Sequence, residues 1–119
     1  MLDRFPKLRL ILSHGGGALP YLIGRFDIMH ERADKSQGIV AAGKPSAYLH
    51  RLWYDSILHD AQALRYLASR VSVDRIVLGS DDSFPPADLD PLASLQAAGF
   101  DAAEVHTITE DNPRLLFRL

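Results

Sequence analysis

The chain has 119 residues, enough for one domain with a modest core. Hydrophobic residues make up 47% of it and charged residues 24%, which is typical of a globular domain. The net charge of -2 argues against a surface for nucleic acid or for an anionic membrane. The chain contains no cysteine, so disulfides and thiolate metal ligands are excluded. No apolar stretch approaches the ~20 residues that span a bilayer, and no signal peptide opens the chain, so a cytoplasmic location is expected.

Short apolar runs alternate with helical patterns along the chain. We predict strands over 8–13, 52–57 and 76–79, each bounded by turn residues, and a loop over 36–45. Pro20 suits the first turn of a helix to about residue 33, and a short helix is predicted over 46–52. The predicted caps of the later helices are Asp60, Asp90 before Pro91, Asp101 in a capping box with Glu104, and Thr109.

The order β-α-β-α-β-α predicts an α/β fold with a parallel sheet and right-handed crossovers. We expect residues 1–119 to form a single domain. Three strands are few for such a sheet, and a complete (β/α)₈ barrel takes roughly 250 residues. The sheet is therefore expected to be part of something larger.

Two strand ends carry residues suited to chemistry. His14 follows the first strand and precedes three glycines, and Asp81 follows the third strand after Gly79-Ser80. Loops at the carboxyl ends of parallel strands form the active sites of such folds. A histidine there can bind metal or act as a base, and an aspartate can ligate a cation. The competing interpretation makes His14 a hydrogen-bonded turn residue and Asp81 a turn or cap residue.

Two further residues are weaker candidates. His59 comes just after the second strand and could share the edge with His14, although a loop histidine before the helix cap Asp60 is the simpler interpretation. Arg25 lies in the first predicted helix and could pair with a substrate carboxylate. A surface ion pair with Asp27 or Glu31 is the more common arrangement for a helical arginine.

The glycine run also suggests a phosphate-binding loop, but the pattern fails in detail. A Gly-x-Gly-x-x-Gly motif would need glycine where Pro20 stands, and no Lys-Ser/Thr pair follows. A backbone nest for phosphate remains the weaker alternative.

Several motifs together resemble one family, the amidohydrolase-related proteins that include the aminocarboxymuconate-semialdehyde decarboxylase-like enzymes. The motifs, in family order, are Phe5-Pro6-Lys7-Leu8, Ser13-His14-Gly15-Gly16-Gly17, Leu19-Pro20, Gly24-Arg25, Leu78-Gly79-Ser80-Asp81, Phe84-Pro85, Asn112-Pro113 and Leu116-Phe117. The resemblance covers the chain from residue 5 to its end. It implies strands six to eight of a (β/α)₈ TIM barrel plus the C-terminal helices.

The resemblance also implies roles for individual residues. His14 matches the family's acid/base histidine, and Asp81 matches the aspartate that ligates a divalent metal, usually zinc. Arg25 matches an arginine that can bind a substrate carboxylate across a dimer interface. Two departures stand out: Ser80 replaces a common threonine, and Asp82-Ser83 replace an aromatic-proline pair. The family's His-x-His pair and fifth-strand histidine have no counterpart in this sequence.

These points favour part of a metal-dependent decarboxylase or hydrolase for a small carboxylated substrate. The isolated chain is expected to be inactive and to bind zinc weakly, because two ligands are fewer than the usual three. It is expected either to form a homo-oligomer, such as a dimer, or to lack an N-terminal half. The alternatives are a non-catalytic remnant or interaction domain that assembles with a partner, and a small phosphate- or nucleotide-binding module.

Overall fold

A parallel three-stranded sheet lies at the centre of the fold. The computed structural model describes residues 1–34, 36, 38 and 41–119. The strands are β1 (Ile11–Leu12), β2 (Trp53–Asp55) and β3 (Ile76–Val77), in the spatial order β1-β2-β3. Ile11 pairs with Trp53, and Tyr54 pairs with Ile76. All three strands and their parallel pairing confirm the prediction, although each strand is shorter than expected.

Helices follow each strand as predicted. The α-helices are α1 (Leu19–Arg32), α2 (Ala61–Val71), α3 (Pro91–Ala97), α4 (Ala102–His106) and α5 (Asn112–Phe117), with 3₁₀ turns at His14–Gly16, Pro45–Arg51 and Val73–Arg75. The short helix predicted over 46–52 is thus a 3₁₀ turn. The loop predicted over 36–45 includes Gln37, Ile39 and Val40, which lie outside the described residues. Within the described part of the chain, no helix has both the length and the apolar character to cross a membrane.

Three predicted helix caps are confirmed by their hydrogen bonds. The Asp60 carboxylate accepts the N–H of Ala63 at 2.6 Å, and that of Asp90 caps α3 in the same way. Asp101 and Glu104 form the predicted capping box, in which each side chain accepts the other residue's backbone N–H. These caps satisfy N–H groups that the first helical turn leaves without partners.

The prediction that Thr109 caps the last helix is wrong. Thr109 lies inside a π-helix, Thr107–Asp111, which joins α4 to α5 without a break, and its hydroxyl donates to the Val105 carbonyl at 2.9 Å. Pro113 follows in the first turn of α5 and has no N–H to donate. The wider π turn before Pro113 compensates for the missing hydrogen bond. The helix therefore continues into α5 without a capping residue.

The core covers both faces of the sheet, as is usual for parallel strands. Tyr54 and Ile76 are fully buried among the side chains of α1, α2, α3 and the π-helix. Trp53 points to the opposite face, where it clusters with Val77 and Leu116. Successive residues of β2 therefore pack on opposite faces, which leaves the strand ends to carry polar groups.

Candidate active site

Three of the predicted site residues share an unusual backbone conformation. His14 and His59 both have φ of 53°, and Asp81 has φ of 57°. Such left-handed values are uncommon outside glycine and tend to occur where the surrounding structure enforces them, often at functional sites. Each residue follows one of the three parallel strands, so all three lie at the same, carboxyl edge of the sheet. This placement agrees with the prediction.

Asp55, at the end of β2, is the central polar group of this edge. Its side chain is buried, with 7% of its surface exposed. One carboxylate oxygen, Oδ2, accepts the backbone N–H of His14 at 2.9 Å. The other, Oδ1, accepts the N–H groups of Gly15 at 3.0 Å and Ile57 at 3.2 Å. The β2 carboxylate therefore fixes the backbone of the loop that carries His14.

Ser56 makes the corresponding link on the other side of β2. Its hydroxyl Oγ accepts the backbone N–H of Gly79 at 3.1 Å. A Cβ atom on Gly79 would lie 2.8 Å from Ile57 Cδ1 and 3.1 Å from Asp55 Cβ, so only glycine lets the chain pass this close. Gly79 lies two positions before Asp81. The end of β2 is thus bonded to both neighbouring loops.

Sequence reasoning missed Asp55 and Ser56. They lie inside a run predicted as a buried strand, and all residues from Leu52 to Ile57 are buried. The available signal was an acidic residue in the middle of a strand, since a buried carboxylate needs hydrogen-bond partners. The sequence could not show which groups those partners would be.

The glycine run serves the protein's own packing. A Cβ atom on Gly15 would lie 2.9 Å from the Leu58 methyl groups, and one on Gly16 would lie 2.8 Å from the Tyr54 ring. The three glycine N–H groups donate to Asp55, to the Ser13 carbonyl and to the His14 carbonyl, respectively. These donors are engaged within the chain, which argues against the weaker alternative of a backbone nest for phosphate.

Asp81 and His59 also have the structural roles that compete with a catalytic interpretation. The Asp81 carbonyl accepts the Phe84 N–H at 3.2 Å, so this residue begins a turn. His59 precedes the cap of α2 and lines a cleft of about 230 Å³ with Ser56 and Ser94. In the described part of the chain, no three His, Cys, Asp or Glu side chains come together in a group that could hold a metal ion.

Arg25 is exposed on α1. The carboxylates expected to pair with it bond elsewhere: Asp27 accepts the Ser46 N–H at 2.8 Å, and Glu31 pairs with Lys44. Hydrogen bonds from Ser46 hold the pKa of Asp27 below its usual value. Among the described residues, no hydrogen bond or ion pair connects Arg25 to His14 or Asp81.

A second concave surface is larger but differs in character. This cavity of about 700 Å³ lies between the N-terminal segment, α1 and the turn Pro45–Arg51, and its lining includes Ile23, Phe26 and Leu49. None of the four predicted site residues lines it.

Fold and site together define an α/β domain whose polar loops gather at the carboxyl edge of a parallel sheet. The family model described as amidohydrolase matches residues 1–119, and the chain belongs to that family. The resemblance inferred from the sequence motifs is thereby confirmed.

The curated relatives are longer proteins. The chain is 32% identical over 91 residues to 2-amino-3-carboxymuconate-6-semialdehyde decarboxylase of Dictyostelium discoideum and 40% identical over 91 residues to that of Caenorhabditis elegans. Both matches cover 76% of this chain, but only 25% and 22% of the respective relatives. The chain thus spans about a quarter of their length.

Solved structures of decarboxylases share the fold. A 5-carboxyvanillate decarboxylase from Sphingomonas paucimobilis matches with a TM-score of 0.84 and 26% identity over 99% of this chain and 36% of its own. A dihydroxybenzoic acid decarboxylase from Polaromonas, solved with manganese, matches with a TM-score of 0.79 and 24% identity over 99% of this chain and 36% of its own.

Proposed function

We propose that this chain contributes the last three β/α units and the C-terminal helices to the barrel of a metal-dependent decarboxylase. Its substrate is a small carboxylated molecule, an aromatic or unsaturated acid. The observation that carries the proposal is the placement of His14 and Asp81 on one sheet edge, in left-handed backbone, with both loops bonded to the end of β2. The similarity to decarboxylases along the chain supports the same conclusion.

His14 is assigned the proton transfer. Decarboxylation breaks the bond between the carboxylate carbon and the adjacent carbon of the substrate. CO₂ leaves, and the electron pair stays on the adjacent carbon. A proton must then reach the carbon, and the exposed His14 imidazole is suited to deliver it. Arg25 is proposed to bind the substrate carboxylate from a second copy of the chain, and His59 to line the substrate site.

Asp81 is assigned to the divalent metal as one ligand. A carboxylate suits manganese or zinc, but the described residues supply no group of three ligands. These residues alone do not fit a complete metal site, so the remaining ligands must come from other residues of the working enzyme.

A chimera tests the proposal. The matching C-terminal segment of the Sphingomonas 5-carboxyvanillate decarboxylase is replaced by this chain, and CO₂ release from 5-carboxyvanillate is measured with manganese. The expected result is turnover by the chimera, which is lost in His14→Gln and Asp81→Asn but kept in the control His106→Gln, an exposed helical histidine. The isolated chain is expected to show no turnover.

A folded, metal-loaded chimera without activity would contradict the proposal and favour a non-catalytic domain. Activity that survives His14→Gln would remove the proton-transfer role from His14 while leaving the family membership intact.

A further inference from the structure

We propose that Asp55 and Ser56 are positioning residues that together hold the two loops of the catalytic edge in register with β2. Asp55 sets the backbone of His14, and Ser56 sets the path of the chain from Gly79 to Asp81. The functional meaning of this pair rests on the roles proposed above for His14 and Asp81. The geometry itself is independent of those roles.

The Asp55 carboxylate is bonded in a way that specifies one loop conformation. Two consecutive N–H groups, those of His14 and Gly15, point at its two oxygens at 2.9 and 3.0 Å. Both residues have positive φ, and in this conformation their two N–H groups face the same acceptor. That acceptor is the protein's own carboxylate. Hydrogen bonds to an ionised acceptor are stronger than neutral ones and offset the burial of the charge.

This arrangement controls the imidazole through its backbone. The His14 side chain is exposed, so little packing around it fixes its direction. The left-handed φ of His14 is unfavourable for a residue with a Cβ, and the bonds to Asp55 hold it there. A catalytic group must be held near its productive geometry, and supporting hydrogen bonds supply that restraint. Loss of the Asp55 bonds should therefore release His14 without unfolding the sheet.

Ser56 acts on the opposite loop and by a weaker bond. Its hydroxyl is neutral and accepts the N–H of Gly79. The side chain is itself buried, with 5% of its surface exposed, and lies next to Asp55 in sequence. β2 lies between β1 and β3 in the sheet, so this one dipeptide contacts the loops that follow both neighbouring strands. The two loops are consequently separable by mutation.

Amide hydrogen exchange, followed by NMR on the 119-residue chain, tests the pair. In Asp55→Asn, exchange at His14 and Gly15 should accelerate on the order of tenfold or more, because an amide cannot accept at both positions. Contacts of the His14 ring seen by nuclear Overhauser effects should weaken in the same variant. Exchange at core amides such as Leu67 should stay unchanged. In Ser56→Ala the effect should move to Gly79 and Asp81 and spare His14.

Asp82→Asn is the matched control, since it removes an exposed carboxylate near the same edge. It should leave the amides of both loops unchanged. Should Asp55→Asn fail to fold, scalar coupling across the hydrogen bond, from the His14 amide nitrogen to Asp55 Cγ, is measured in the unsubstituted chain. Detection of that coupling supports the assignment, and its absence overturns it.

The outcomes separate this inference from the proposed function. If exchange at His14 is unaffected in a folded Asp55→Asn variant, or if all amides accelerate together, the positioning role is wrong whatever the enzyme does. If the His14 loop alone is released, the positioning geometry holds. In the chimera, Asp55→Asn should then lower kcat on the order of 10- to 100-fold with little change in KM. A chimera with no activity at all contradicts the proposed function and leaves the NMR result standing.

Discussion

The side chain of Asn112 donates from Nδ2 to the backbone carbonyl of Ile76 at 2.6 Å, across 36 positions of sequence. The same nitrogen donates to the Val73 carbonyl at 2.8 Å. Asn112 is 4% exposed and begins α5 immediately after the π-helix. One amide group thus anchors the C-terminal helix to the start of β3, the strand that leads to Asp81. The C-terminal Asn-Pro motif has a structural role in placing this strand.

Substitution of Asn112 should be among the most destabilising single changes. Asn112→Ala leaves two carbonyls without their donor, and we expect a loss of about 2–3 kcal/mol in the free energy of unfolding. Asn112→Asp should cost more at neutral pH, because a carboxylate would face two carbonyl oxygens. Urea unfolding measures both variants. The exposed neighbour Asp111→Ala is the control and should change stability by less than about 0.5 kcal/mol. Equal stability of Asn112→Ala and the control would contradict the anchoring role.

Two glycines should respond in opposite ways to the same added methyl group. Gly79→Ala places a Cβ within 3 Å of Ile57 side-chain carbons, so we expect a loss of about 1–3 kcal/mol from overpacking. Gly24→Ala lies within α1, where nothing stands within 4 Å of the new Cβ. There the higher helix propensity of alanine should raise the free energy of unfolding by at most about 1 kcal/mol.

Thermal and urea unfolding of these two variants, side by side with the parent chain, gives the comparison. A destabilised Gly24→Ala would mean that the exposed face of α1 has a contact that the fold does not show. A neutral Gly79→Ala would mean that the Ile57 side chain can move aside.

Alkaline pH should destabilise the chain through Tyr54. Burial raises the pKa of this phenol from 10 to about 12, and its hydroxyl donates to the Leu49 carbonyl at 3.1 Å. The folded state therefore keeps the proton at pH values where the unfolded state releases it. The stability contributed by the neutral phenol is complete below pH 10 and is lost as pH rises toward 12, by an amount on the order of 2 kcal/mol.

Tyr54→Phe should be less stable than the parent near neutral pH, by about 1 kcal/mol for the lost hydrogen bond. The gap should close above pH 10, because phenylalanine has no proton to lose. The measurement is the free energy of unfolding in urea between pH 7 and pH 11. Tyr66→Phe, at a more exposed ring, is the control and should keep the slope of the parent chain. Parallel curves for Tyr54→Phe and the parent would be inconsistent with this account.

Predictions from the sequence succeeded where the deciding interaction is local. Asp60 and Asp101 were predicted as caps because the N–H groups that they accept lie three positions away, within reach of a sequence pattern. Thr109 also has a side-chain oxygen that could cap a helix. The helix continues through it, however, because Ile108 is buried there and the π turn precedes Pro113, which has no N–H to donate. A local sequence pattern does not contain this information on tertiary packing.

The candidate site shows the same division. The position of His14 and Asp81 at the sheet edge is predictable because each follows an apolar strand, and parallel strands end at one edge. Their chemical roles stay predictions. Asp55 was missed because its partners His14 and Gly15 lie 41 and 40 positions earlier, where no periodicity connects them. Its importance depends on strand order, which places β2 between the two loops.

Metal binding provides the sharpest test of how much of the site this chain holds. Within the described residues, Asp81 belongs to no group of three potential metal ligands, whereas protein sites for zinc ordinarily use at least three. The isolated chain should therefore bind zinc or manganese more weakly than about micromolar. Native mass spectrometry of the purified chain reports bound metal and assembly state together, and calorimetry gives the affinity. Stoichiometric metal that disappears in Asp81→Asn, on a discrete oligomer, would contradict the prediction. It would mean that copies of this chain complete the metal site between them.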